Sequence, residues 1–272
     1  MHRLKRFGVI HKPYRVLRFV VFQAQLAWAA VRDRMQFPRA QRRIPLPPAR
    51  LRYRVHGDLD AANFLSTGRT IAGNVRDLVA SAGYDLAAFH NTLDFGCGCG
   101  RVLRHVAPMG LRGRVCGTDI DGQAIAWCQV NIPGVEWRTN QFLPPLHWPD
   151  AVFDFVFSIS VFTHLTRDMQ NAWLGELCRV IQPGGLLLLT IHGDFVQQTL
   201  PGEQRTALRE SGMLYLTGST GRLKLDGLPD FYQTAYHTRA YVEAEWSKLF
   251  HVIEIVPRGI NAHQDAVLLR KR

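Results

Sequence analysis

Apolar positions in the first forty residues repeat at helical spacing, whereas from about residue 90 onward they recur in short blocks at strand spacing. An uncharged run of 13 residues, Phe19 to Val31, lies between Arg18 and Arg32. On a helix, Leu17, Val20, Val21, Ala24, Trp28 and Val31 fall largely away from the side that carries Arg15, Arg18, Gln25, Arg32 and Asp33. The run is shorter than the roughly 18–20 apolar residues a bilayer crossing needs. The spacing therefore predicts a basic amphipathic helix over residues 1–37 and no membrane span. Ala27-Trp28-Ala29 resembles a signal-peptide cleavage site, but Gln23 and Gln25 break the apolar stretch before it. Pro38, Pro45, Pro47 and Pro48 follow, and their fixed φ and missing N–H predict an extended, proline-rich linker over residues 38–53.

Beyond the linker, Asp58 to Leu65 and Arg69 to Ala82 read as helices, with Gly83 placed to end the second. Strand-like runs at Thr92–Phe95, Arg114–Thr118, Val135–Arg138, Val152–Ile159 and Leu186–Ile191 then alternate with helical stretches near Val102–Ala107, Gln123–Asn131 and Asp168–Ile181. This order predicts an α/β fold: a doubly wound, mostly parallel sheet with helices on both faces. His251–Val256 and Ala266–Arg270 are joined by a loop with no helix, which allows an antiparallel hairpin at the C-terminal edge. Phe195 to Thr238 has weak periodicity and five glycines. An excursion of that length after the fifth strand predicts a lid or substrate pocket over residues 195–238.

Composition changes this picture in one respect. The 272 residues carry a formal charge of +11, yet Met1 to Arg54 hold 14 Lys/Arg and a single acid, Asp33, for +13, and the rest of the chain is −2. The basicity belongs to the N-terminal segment, not to the body. Three readings fit that segment: a helix packed on the domain, a helix on an anionic membrane surface, or a nucleic-acid arm. The last is the weakest, because its aromatics sit in the apolar run and form no stacking platform for bases. Five cysteines, with Cys97 and Cys99 one residue apart, do not describe a disulfide framework, and without a second Cys/His cluster no metal site is expected. The expectation is a cytoplasmic enzyme, peripheral to the inner membrane surface if the arm binds lipid.

The candidate chemistry lies in Leu93-Asp94-Phe95-Gly96-Cys97-Gly98-Cys99-Gly100-Arg101, a strand running directly into a glycine-rich turn and a helix start. Glycines there let a ligand approach the backbone, and the helix start offers unpaired N–H groups. The next strand ends at Gly117-Thr118-Asp119-Ile120-Asp121, which puts a carboxylate 25 residues after Asp94, where a doubly wound fold holds ribose hydroxyls. In the dinucleotide fingerprint the third glycine comes one residue later, and Asp94 would repel a pyrophosphate but suits a cationic ligand.

With these motifs the chain resembles the class I S-adenosylmethionine-dependent methyltransferases, over residues 54–272. Gly117 to Asp121 resembles the family's second motif, Phe153-Asp154-Phe155-Val156-Phe157-Ser158 its fourth, and Leu177-Cys178-Arg179-Val180-Ile181-Gln182-Pro183-Gly184-Gly185 the turn after it. The resemblance implies a Rossmann-like sheet of seven strands and S-adenosylmethionine as cofactor. It implies that Gly96, Cys97, Gly98, Gly100 and Arg101 surround the methionine part and that Asp94 approaches its amino group. Asp119 would hold the ribose, and Ile120 would cover the adenine, with Asn140, Gln141, Phe142 and Ser158 completing the site. Asn140 stands where the family often has an acid, and its amide carbonyl can still accept from the adenine amine.

His164 and His192 follow the fourth and fifth strands, at the carboxyl ends where ligands bind, and Tyr232 belongs to the excursion; these three are the candidate catalytic residues. Ser158-Ile159-Ser160-Val161 stands where the family's amide N-methyltransferases carry an Asn/Asp-Pro-Pro-Tyr/Phe segment. This turns the expectation toward a small-molecule, sugar or other glycan, or lipid-linked acceptor with an oxygen nucleophile. The alternatives are an RNA methyltransferase using the basic arm and a nicotinamide-dependent oxidoreductase.

Overall fold

The computed structural model of the protein describes residues 7–38, 44–111, 113–218 and 229–272, with side chains from residue 16 onward. In chain order the elements are α1 (Phe7–Gln36), α2 (Ala49–His56), α3 (Ala61–Ser81), β1 (Asn91–Phe95), α4 (Leu103–Val106), β2 (Arg114–Asp119), α5 (Gly122–Asn131), β3 (Glu136–Thr139), β4 (Phe153–Ser158), α6 (Arg167–Val180) and β5 (Ile181–Ile191). They continue with α7 (Asp194–Gln197), α8 (Gly202–Ser211), β6 (Met213–Leu216), β7 (Thr234–His237), α9 (Arg239–Glu245), β8 (Phe250–Ile260) and β9 (Gln264–Lys271). Seven strands form one sheet in the order β3-β2-β1-β4-β5-β9-β8. The first five are parallel, and β9 runs antiparallel to both β5 and β8, which is the expected edge hairpin.

Alternation along the central strands builds two cores. In β5, Leu187, Leu189 and Ile191 face the layer of α6 and α9, with Trp173, Leu177 and Trp246, while Leu186 and Leu188 face α3, α4 and α5. β9 repeats the pattern with Val267 and Leu269 against Ala266 and Leu268. Both faces of the sheet are thus covered, as a parallel sheet requires. Strand order reverses between β1 and β4, and a doubly wound sheet opens a ligand crevice at that point.

Three expectations are corrected. The linker over residues 38–53 ends early: residues 39–43 lie outside the described residues, and from Ala49 the chain is helical, because Leu51 and Arg52 are buried against neighbours distant in sequence. The two helices anticipated before Gly83 are one, α3, capped by the Asp60 carboxylate, which accepts from the Ala62 and Asn63 N–H groups at 2.7 and 3.0 Å. Gly68, in its middle, packs so closely that a Cβ would stand 2.4 Å from the Arg101 carbonyl oxygen. In the excursion, residues 219–228 lie outside the described residues, and on either side of them β6 and β7 pair as a small antiparallel sheet.

The basic helix is present as α1, but its docking face is not the apolar one. Phe22 and Ala29 are buried, with the Phe22 ring 4.8 Å from that of Tyr53. Asp33 accepts from Arg52 Nη2 at 2.6 Å, Gln23 accepts from Arg50 at 2.7 Å, and Arg32 donates to the Leu59 carbonyl at 2.6 Å. A single buried Phe contributes on the order of 2 kcal/mol, so these polar ties carry much of the attachment. Leu17, Val20, Val21, Trp28 and Val31 are left exposed.

Candidate functional site

A cavity of about 550 Å³ opens at the carboxyl ends of β1, β2 and β4, at the point of strand reversal. Its inner end is built by the turn after β1. Gly96 and Gly98 have φ of +80° and +54°, a region that side chains other than glycine rarely adopt. A Cβ on them would stand 2.1 Å from Val161 Cγ2 and 2.4 Å from Val55 Cγ2, so the turn is held between two elements as well as lining the cavity. Gly98 N–H donates to Asp119 Oδ2 at 2.7 Å, and Asp121 N–H donates to Oδ1 at 2.8 Å, which fixes the Asp119 carboxylate at the end of β2.

Asp94 is the most perturbed acid here. It is 2% exposed, it lines the cavity, and its Oδ2 has no hydrogen-bond partner. Burial, and then the charge of Asp119, push its pKa well above the usual carboxylate range, with Arg101 opposing. Asp119 is raised by burial too, and its backbone N–H bonds offset part of that. A buried carboxylate with one unsatisfied oxygen beside a half-buried one makes a site that a cation with N–H donors and a diol would complete. The residues present therefore fit S-adenosylmethionine. Bound there, it would supply a methyl group activated by its sulfonium.

Of the residues expected around the cofactor, Asp94, Gly96, Cys97, Gly98, Arg101, Asp119, Ile120, Asn140 and Phe142 line the cavity. Three stand behind it. Gly100 packs against Ile132, Gln141 accepts from Asn140 Nδ2 through its carbonyl at 2.8 Å, and Ser158 donates to the Phe95 carbonyl at 2.7 Å. Asn140 Oδ1 already accepts from Thr118 Oγ1 at 2.9 Å, so one carbonyl lone pair is left for a ligand. The thiols are buried, and Cys99 is pushed up to about 12 by burial.

Sequence reasoning missed the strap over this end. Arg54 and Val55 of α2 line the cavity, and Arg54 Nη1 donates to Asp121 Oδ2 at 2.7 Å and Gln123 Oε1 at 3.0 Å. The three arginines at 50, 52 and 54 were visible, but their partners lie far away in sequence.

The outer end is apolar. Leu165, Met169 and Trp173 form one wall, Phe142 and Phe231 meet edge to face at 5.2 Å, and Tyr232 closes the side. The Trp173 indole N–H donates to the Phe142 carbonyl at 3.2 Å, tying α6 to the loop after β3. Ser160, at the tip of β4, holds a left-handed backbone (φ 62°), and its Oγ donates to Gln264 Oε1 at 2.9 Å.

Among the candidate catalytic residues only Tyr232 lines the cavity. His164 lies behind it, its ring stacked on Tyr232 at 4.0 Å, with Nδ1–H donating to the Gln233 carbonyl. His192 does not take the place expected of a base. It is buried, its Nδ1–H donates to the Ala235 carbonyl at 3.1 Å, and its Nε2 faces the Gln264 amide at 3.5 Å. Burial lowers its pKa to about 4, so the ring is neutral and holds β7 to β5. His237, lowered to about 3, sits fully buried with Nε2 at 2.9 Å from Gln170 Oε1 and does the same for α6.

Residues 92–185 match the family model of the methyltransferase domain. Among solved structures the chain is similar to protein PH0226 from Pyrococcus horikoshii OT3, at 16% identity over 81% of this chain and 98% of that one, with a TM-score of 0.57. It is also similar to an S-adenosylmethionine-dependent methyltransferase from Aquifex aeolicus, at 15% identity over 84% and 100%, TM-score 0.52. Identities this low establish a shared fold. The domain match shows that residues 92–185 of the chain form a methyltransferase domain. This domain makes the protein an enzyme of the methyltransferase type.

Proposed function

We propose that the protein transfers the methyl group of S-adenosylmethionine to an oxygen of a small-molecule or lipid-linked acceptor whose body is apolar or aromatic. The observation that supports this is the composition of the outer wall. Phe142, Leu165, Met169, Trp173 and Phe231 offer contact area and few hydrogen-bond partners, which suits an apolar body better than a free sugar. The cofactor-binding roles follow the same reading: Asp94 takes the amino group, Asp119 the ribose hydroxyls, and Ile120 covers the adenine.

The chain's own work is mostly positioning. Holding acceptor oxygen, methyl and sulfur in line removes several kcal/mol of entropic barrier, on the scale of about 7–11 kcal/mol for ideal alignment. The apolar wall excludes water from the line of transfer. Tyr232 orients the acceptor hydroxyl. His164, stacked behind Tyr232 with its Nδ1–H committed to the Gln233 carbonyl, holds that ring in place, and the acceptor's proton is released to bulk water.

The test is labelled methyl transfer from S-adenosylmethionine into cell extract fractionated by polarity. Label in a product that partitions into organic solvent is expected. Label confined to polar glycans, RNA or protein overturns the acceptor assignment.

A further inference from the structure

The exposed face of α1 supports an inference that does not depend on the acceptor. Leu17, Val20, Ala24, Trp28, Val31 and Met35 fall within a strip roughly 80° wide at about 100° per residue, and all six are exposed, Trp28 at 69% and Met35 at 78%. The side diametrically opposite carries Phe22, Ala29 and Asp33 into contact with α2. Of the 13 large hydrophobic residues exposed among the described residues, eight are on this one helix. Such a concentration marks an interaction surface.

The surroundings indicate what covers it. Met1 to Arg54 carry 14 Lys/Arg and one acid, and that acid, Asp33, is engaged by Arg52. No carboxylate in this segment is left to repel an anionic surface. Two copies set face to face would bring +13 against +13, which disfavours a dimer through the same strip. Arg34 is exposed near one margin of the strip, where its long stem reaches headgroup level when the strip is buried. Among the described residues no helix is long and apolar enough to cross a membrane, so the helix lies on the surface and does not span it.

We propose that α1 docks the protein on an anionic lipid bilayer, with the strip from Leu17 to Met35 entering the headgroup–acyl boundary and its arginines meeting lipid phosphates. The structure turns this strip outward because polar ties, Asp33 to Arg52 and Gln23 to Arg50, hold the other side.

The experiment is co-sedimentation of the full chain with vesicles of phosphatidylcholine alone and of phosphatidylcholine mixed with phosphatidylglycerol. Binding to the anionic vesicles that falls with salt is expected. Val20→Glu with Trp28→Glu should lower that partition at least about tenfold, and Arg34→Gln about fivefold at low salt. Both lie outside the cofactor cavity, so calorimetry with S-adenosylmethionine should read wild-type affinity and report an intact fold. The proposal is overturned by equal binding to the two vesicle types, by no binding, by a double variant that binds as wild type, or by self-association in sedimentation equilibrium that the double variant abolishes. A failed acceptor assignment would leave all of these readings unchanged.

Discussion

The two ends of the cavity are built in different ways. The cofactor end takes its groups from consecutive residues at the carboxyl ends of adjacent parallel strands. Asp94 and Asp119 lie two residues off being paired across β1 and β2, where Asp94 faces Gly117 and Phe95 faces Thr118. Strand register alone fixes their separation. The acceptor end takes one or two side chains each from the loop after β3, from α6 and from the excursion before β7, and only packing brings them together. A polar site that register holds can be read from spacing, whereas an apolar one assembled by packing can change acceptor without disturbing the cofactor.

The sharpest test of that separation removes the Asp119 carboxylate. Asp119→Ala leaves the Gly98 and Asp121 N–H groups without their acceptor as well as deleting the ribose contact, and cofactor affinity by calorimetry should fall on the order of 100- to 1000-fold. Asp94→Asn should cost about 10- to 100-fold in the same measurement. Its signature is pH. A cation binds the ionised carboxylate, so wild-type affinity should rise as pH climbs through the raised pKa of Asp94, and the variant should lose that rise. Stability moves the other way. A buried acid with its pKa raised in the folded state stabilises the fold below the unfolded value of 3.8 relative to higher pH, and this is lost as pH rises through the folded value. Cofactor-free Asp94→Asn should therefore melt a few degrees above wild type at neutral pH.

At the other end, Tyr232→Ala should lower kcat/KM for the acceptor by roughly 10- to 100-fold while cofactor affinity stays at its wild-type value. A parallel loss of cofactor affinity would show that the two ends are coupled after all. The smallest effect belongs to Asn140→Asp. It exchanges the amide for an acid, but Oδ1 is shared with Thr118, so the change in cofactor affinity should stay within a few-fold.

The same contrast governs what was legible beforehand. Short apolar runs gave away β4, β5 and β9, because burial on both faces of the sheet leaves few of their positions open to polar residues. The glycine turn and Asp119 were visible through spacing set by register. α2 was hidden, since its helix follows prolines and its key residue, Arg52, looks like one more surface arginine until Asp33 is brought beside it. The role of His192 was hidden for a similar reason: the strand end places the ring correctly, but its two nitrogens are committed by Ala235 and Gln264 from elsewhere in the chain. The outward turn of α1 ran against the moment of its own sequence, and the buried polar ties explain it.

The Arg52–Asp33 pair, at 2.6 Å with the arginine side chain 1% exposed, has a bearing on how such chains diverge. A buried guanidinium stripped of its partner costs about 3–5 kcal/mol, so the arm cannot be trimmed back past Asp33 as a neutral event. Descendants that dispense with it are expected to replace Arg52 by an uncharged residue, and positions 33 and 52 should change together across relatives. An ancestral lineage could then be dated, relative to its neighbours, by which of the two positions mutated first.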